Sequence, residues 1–188
     1  MKIKVEEIFN IPNILCYIRL LLIPLFVITY IKASEPRDYY IAALIILISG
    51  ITDFADGFIA RKYNMITELG KAIDPIADKL TQVAIVFSLV VRIRSMFILL
   101  IIFAVKETLQ GIVCLLLLRK GKKLDGAMWF GKVSTAVFYA TMFTIIILPK
   151  ANMIFINILI GIATIFLSIS FALYIPVFYK MFKESKIK

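Results

Sequence analysis

Six long apolar runs, joined by short links, dominate this sequence and fix its solvent. They fall at residues 13–31, 39–60, 73–91, 95–118, 133–148 and 153–178. Crossing a bilayer core takes about 20 mostly apolar residues, so each run is a candidate span. Within lipid every backbone N–H and C=O must be satisfied internally, which leaves helices as the spanning form. The expected fold is all-α: an integral membrane bundle of six transmembrane helices, read as one domain over 1–188. Composition agrees. The chain is 62% hydrophobic, against roughly 45–50% for a soluble domain. Ahead of the first run, residues 2–9 mix charge with Ile3, Val5, Ile8 and Phe9. This predicts a short amphipathic juxtamembrane helix on the membrane surface, ended by Pro12. A cleaved leader is not expected, because the first run is long and Lys32-Ala33-Ser34 is a poor cleavage context.

The net charge of +10 belongs to topology rather than to a nucleic-acid surface. Fourteen Lys and Arg fall in the termini and in alternate links, against five in the opposite links. The positive-inside rule then places both termini in the cytoplasm. The basic link 119–132 is either a topogenic loop beside anionic headgroups or, through Lys132, a phosphate-binding element. Cys16 and Cys114 lie in apolar runs far apart and read as small buried hydrophobes. With no His and no Cys pair, neither a zinc site nor a Ser-His triad can be built. Chemistry falls to carboxylates, hydroxyls, Lys and Arg.

Carboxylates are where they should be costly. A charge at the centre of a membrane helix costs roughly 2.5–3.5 kcal/mol, yet Asp53 and Asp56 close the second run and Asp74 and Asp78 open the third. At about 100° per residue, Asp53, Asp56, Gly57 and Ala60 form one stripe, with Arg61 at its edge. Asp74 and Asp78 are one turn apart and share a face. Packed antiparallel through these faces, the two helices would bring four carboxylates together near the cytoplasmic face. Arg61 and Lys79 cannot balance four negative charges, whereas hard divalent ions can, Mg²⁺ above all. Two such ions would clamp a phosphate. Solvation at the headgroups would account for either pair alone, though not readily for all four. A proton or ion pathway is the other functional reading, but a transporter is expected to show interrupted, repeated segments.

Asp53, Asp56, Gly57, Ala60, Arg61, Gly70, Asp74 and Asp78 follow the spacing D-x2-D-G-x2-A-R-x8-G-x3-D-x3-D. In this the chain resembles the CDP-alcohol phosphotransferases (CDP-alcohol phosphatidyltransferases), over essentially its whole length. The resemblance implies a homodimeric enzyme of the cell membrane that uses two Mg²⁺ or Mn²⁺ ions. It implies Asp53, Asp56 and Asp74 as metal ligands, with Asp78 completing the second site and acting as general base. It implies a CDP-lipid site at Gly57, Ala60, Arg61, Thr67 and Gly70. Gly57 would let the nucleotide approach the backbone, Arg61 offers a fork of donors, and Gly70 permits close packing. Arg19 resembles a family position facing the lipid nucleotide; alternatively it snorkels to the interface. The implied reaction moves a phosphatidyl group from CDP-diacylglycerol to an alcohol and releases CMP.

The acceptor is read from a subfamily pattern. Ile11-Pro12-Asn13 and the stretch 73–79 resemble phosphatidylglycerophosphate synthases, which implies glycerol 3-phosphate. Their cationic acceptor pocket has two Arg eight residues apart and a Gly-Lys pair. Here Lys106 takes the first Arg position, Cys114 the second, and Gly131-Lys132 keeps the Lys. Lys106 and Lys132 are thus expected to bind the acceptor phosphate, although an internal ion pair between Lys106 and a carboxylate such as Glu107 would serve as well. Cys cannot bind phosphate as Arg does, so phosphatidylglycerol (giving cardiolipin) and an inositol phosphate stay open as acceptors.

Overall fold

The computed structural model describes residues 9–119 and 128–184. Among these the chain forms six helices and no strand: α1 (Ile11–Lys32), α2 (Pro36–Lys62), α3 (Glu68–Val90), α4 (Met96–Arg119), α5 (Trp129–Ile147) and α6 (Met153–Glu184). Five are long and apolar enough to cross a membrane, and α3 is not among them. Five of the six expected spans are thus matched by helices of that kind. The 23 residues of α3 would reach about 35 Å at 1.5 Å per residue, but Glu68, Lys71, Asp74, Asp78 and Lys79 crowd its first half. The expected surface helix at 2–9 lies almost wholly outside the described residues, as does most of the basic link 119–132. Pro12 does not end an earlier helix. It sits in the first turn of α1, with Asn10 at the cap, where a missing N–H costs nothing.

The chain divides into two compact units, residues 1–92 and 93–188. In the first, α1 packs on both α2 and α3. Ala42, Ala43 and Ala77 are fully or almost fully buried, while Leu21 and Phe54 point outward. Asn13, Arg19, Asp56 and Gln82 are buried instead. Apolar groups outside and polar groups inside is the arrangement lipid demands.

Ties at its two ends hold this unit in register. At one, the Asn10 side-chain amide donates to Met65 O (3.1 Å), fastening α1 to the turn between α2 and α3. That turn needs a left-handed residue, and Asn64, at φ 52°, is among the few side chains that tolerate it. It lets Tyr63 N and Met65 N close the last turn of α2 onto Ile59 O and Ala60 O. At the other end the Arg92 guanidinium donates to Ile31 O (2.9 Å), to Ala33 O and to Tyr39 Oη (2.6 Å). It also lies over the rings of Tyr30 and Tyr39. A cation on these terminal carbonyls satisfies acceptors that α1 leaves open.

In the second unit α6 packs on α4 and α5. Leu117, Tyr174 and Phe178 form a buried cluster, with Cys114 and Phe130 against it. The Tyr174 hydroxyl accepts from Met128 N at 3.3 Å. A Cβ on Gly131 would stand 2.5 Å from that oxygen, so a larger residue there would have to displace the Tyr174 ring.

Candidate active site

Three helices of the first unit build the site. The period of α2 puts Asp53 and Asp56 on its inner side, and that of α3 does the same for Asp74 and Asp78. From α1, Arg19 enters between them. Its Nη1 lies 2.6 Å from Asp53 Oδ1, 2.7 Å from Asp78 Oδ1 and 3.2 Å from Asp74 Oδ1, while Nη2 pairs with Asp56 Oδ2. Arg19 is 1% exposed, whereas the side chains of Asp53, Asp74 and Asp78 are 41–46% exposed.

This corrects the snorkelling alternative for Arg19. It does not snorkel, and its guanidinium faces the acids. A buried guanidinium ringed by carboxylates gains in attraction what it loses in hydration. The pairing is nevertheless unequal, since four carboxylates less one guanidinium leave three negative charges. Arg19 Nε is buried and has no hydrogen-bond partner among the described residues.

The donor set suits divalent cations. Carboxylate oxygens of Asp53, Asp74 and Asp78 lie within 4.8 Å of one another, and so do those of Asp56 and Asp74 with Cys16 Sγ. Three carboxylates are the hard oxygen ligands that Mg²⁺ or Mn²⁺ takes. Asp74 belongs to both groups.

Beside the acids a cavity of about 120 Å³ opens, lined among others by Asn13, Cys16, Asp56, Gly57, Ala60, Thr67, Gly70 and Asp74. Arg61 folds back over Gly57, its Nη2 standing 3.5 Å from where a Cβ would be. Thr67 caps α3, its hydroxyl accepting from Gly70 N at 2.9 Å and from the Asn13 amide at 3.1 Å. A Cβ on Gly70 would come within 2.6 Å of Asn13 Oδ1. Thr67 and Gly70 therefore shape the cavity wall as well as face the cavity. At the rim Lys71 pairs with Glu68 at 2.6 Å.

The residues expected to bind an acceptor phosphate stand in the second unit. Lys106 pairs with Glu107 at 2.7 Å, its side chain 11% exposed, which is the internal ion pair weighed above. Lys132 is exposed in the first turn of α5. Cys114 packs against the apolar Leu117–Tyr174–Phe178 cluster.

Asn13 and Cys16 are among the wall residues that sequence reasoning did not place in the site. With Arg19 they recur every third residue, a narrow polar stripe along an otherwise apolar helix. That recurrence was the available signal.

The family model of the CDP-alcohol phosphatidyltransferases matches residues 9–177. The chain belongs to this family. Among CDP-alcohol phosphatidyltransferases it is similar to the CDP-diacylglycerol--glycerol-3-phosphate 3-phosphatidyltransferase of Rickettsia bellii, 46% identical over 77 residues, 41% of either chain. It is also similar to the protein of that name in Rickettsia felis, 36% identical over 122 residues, 64% of this chain and 59% of the relative. A cardiolipin synthase (CMP-forming) of Streptomyces coelicolor is 30% identical over 137 residues, 71% of this chain and 63% of that one. In all three the matched segment spans less than two thirds of the relative's length.

Proposed function

We propose that this chain transfers a phosphatidyl group from CDP-diacylglycerol to the hydroxyl of glycerol 3-phosphate, releasing CMP and forming phosphatidylglycerophosphate. The observation that carries this reading is the convergence of Asp53, Asp56, Asp74 and Asp78 beside the cavity lined by Gly57, Ala60, Thr67 and Gly70. The names of the Rickettsia relatives supply the acceptor. Two divalent ions, Mg²⁺ or Mn²⁺, held by the four carboxylates would neutralise charge on the pyrophosphate and the departing CMP. Gly57 and Ala60 leave room for the nucleotide against α2, and Arg61 offers its guanidinium to a phosphate. Asp78 takes the proton of the acceptor hydroxyl. That oxygen bonds to the phosphorus bearing the diacylglycerol as the bond to CMP breaks. Arg19 orients the acids that share its guanidinium. Lys106 and Lys132 draw in the acceptor phosphate.

The same reading takes the chain as one domain, a homodimer in the cell membrane. All six helices span, α3 with its charged half at the cytoplasmic end, and both termini are cytoplasmic. Transfer to phosphatidylglycerol is the second reading, favoured by the Glu107 partner of Lys106 and by the Streptomyces relative. The test is release of CMP from CDP-diacylglycerol by purified protein with Mg²⁺, offering each acceptor in turn. Product with glycerol 3-phosphate alone supports the first reading and product with phosphatidylglycerol alone the second. Failure to release CMP with any acceptor overturns both.

A further inference from the structure

We propose that Gln110 and Ser170 are acceptor-specificity residues, which together hold the hydroxyl of glycerol 3-phosphate that does not react. The inference rests on the acceptor reading above. Along α4, Phe103, Lys106, Glu107, Gln110 and Leu117 are buried or half-buried and so share the inner face. The two ends of this face are apolar. Phe103 stacks on Phe138 of α5, and Leu117 packs against Tyr174 and Phe178 of α6. Between them the face is polar. Lys106 Nζ lies 2.7 Å from Glu107 Oε1. Gln110, one turn on, takes no part in that pair: its Oε1 is buried and has no hydrogen-bond partner among the described residues.

A second buried oxygen without a partner lies at the same level. On α6, Ser170 is 2% exposed, and its Oγ has no hydrogen-bond partner among the described residues. It shares a buried stripe with Leu167, Tyr174 and Phe178. The two helices run parallel. They are tied near their first turns, where Ser95 Oγ donates to Asn157 Oδ1 at 2.7 Å, and again where Leu117 meets Tyr174. Gln110 follows Ser95 by 15 residues and Ser170 follows Asn157 by 13. At about 1.5 Å per residue the two side chains are within about 3 Å of one level.

Both helices are long and apolar enough to cross a membrane, and a buried polar atom without a partner is costly there. An amide oxygen can only accept, whereas a serine hydroxyl can donate or accept. Together they match a group that itself both donates and accepts, which is an alcohol. Lys106 stands one turn from Gln110, about 6 Å along the axis. A phosphate drawn to its ammonium therefore brings the hydroxyl on the adjoining carbons within reach. With Glu107 on the same ammonium, charge alone selects poorly among anionic acceptors, and the hydroxyl contacts supply the selectivity. A site built to hydrogen-bond a hydroxyl rejects the analogue that lacks it.

The test uses the purified full chain in detergent micelles with CDP-diacylglycerol, Mg²⁺ and two acceptors. One is glycerol 3-phosphate, and the other is 3-hydroxypropyl phosphate, which lacks only the middle hydroxyl. The readout is the ratio of their kcat/KM values, in which any general loss of activity cancels. The wild type should favour glycerol 3-phosphate by roughly tenfold or more. Gln110→Met, Gln110→Ala and Ser170→Ala should each cut that ratio by roughly threefold to tenfold. Thr164→Val removes another buried α6 hydroxyl without a partner among the described residues and should keep the wild-type ratio. Binding of CDP-diacylglycerol reports that the variants are folded. A wild-type ratio near one overturns the inference, and so do Gln110 and Ser170 variants that keep the wild-type ratio. Release of CMP with phosphatidylglycerol but with neither small phosphate overturns the acceptor reading, and the inference with it.

Discussion

Asn13 and Gly70, 57 residues apart in sequence, approach so closely that the amide oxygen of one would lie 2.6 Å from a β-carbon on the other. The contact joins the first turn of α1 to the first turn of α3 and forms one wall of the cavity beside the acids. Gly70→Ala should therefore destabilise the protein by about 1–3 kcal/mol, the range for overpacking a close contact. Asn13→Ala removes the obstructing oxygen. The double variant should be more stable than the sum of the two single losses predicts, by more than about 0.5 kcal/mol. Thermal unfolding in detergent reads all four proteins, and strict additivity would show that the contact does not limit the fit.

Arg19 is the counter-charge of the cluster. Its loss in Arg19→Gln should destabilise the chain by about 3 kcal/mol, the low end for a broken buried pair because three of its partners are nearly half exposed. Divalent ions should compensate. The gap in melting temperature between wild type and variant should narrow as Mn²⁺ is added and reopen in EDTA. A gap indifferent to Mn²⁺ would separate Arg19 from the cation centre.

The acids should divide by role. Asp53→Asn and Asp74→Asn should weaken Mn²⁺ binding and abolish transfer, and EDTA should do the same to the wild type. Asp78→Asn should bind CDP-diacylglycerol while transfer falls by roughly 10²–10⁴-fold. If Asp78→Asn loses substrate binding as fully as Asp53→Asn, Asp78 is chiefly a ligand.

For the acceptor, Lys106→Ala and Lys132→Ala should raise the KM for glycerol 3-phosphate and leave that for CDP-diacylglycerol nearly unchanged. From sequence, Cys114→Arg should restore a phosphate-binding pattern and tighten this acceptor. The packing of Cys114 against Leu117, Tyr174 and Phe178 points the other way. An arginine there disturbs an apolar cluster and should lower the melting temperature, by roughly 1–3 kcal/mol of stability, without tighter acceptor binding. A lower KM in a variant of wild-type stability would reinstate the pattern.

What could be read beforehand follows from where the information lies. Asp53 with Asp56, and Asp74 with Asp78, are related within single helices, so their spacing alone puts each pair on one face. The turn that caps α3 with Thr67 is equally local. Beyond the stripe it shares with Asn13 and Cys16, the role of Arg19 was not accessible in this way. The rotation of α1 about its axis is set by packing on two neighbours, and α1 is apolar nearly all round. The failure of α3 as a fully apolar span has the opposite cause. Its second half, from Leu80 to Val90, is apolar, but the run from residue 73 itself carries Asp74, Asp78 and Lys79. Lys106 was legible only as two alternatives, of which the ion pair with its neighbour Glu107 is seen.

The pairing of Arg19 with acids on α2 and α3 also bears on how the chain enters the bilayer. Ribosomes deliver helices in order, and Arg19 precedes all four aspartates. The cation is in place before any of the acids arrives, so Asp53 and Asp56, then Asp74 and Asp78, each meet a counter-charge on insertion. A nascent chain halted after Arg92 already contains Arg19, the four acids that it faces and the side chain that pins the end of α1.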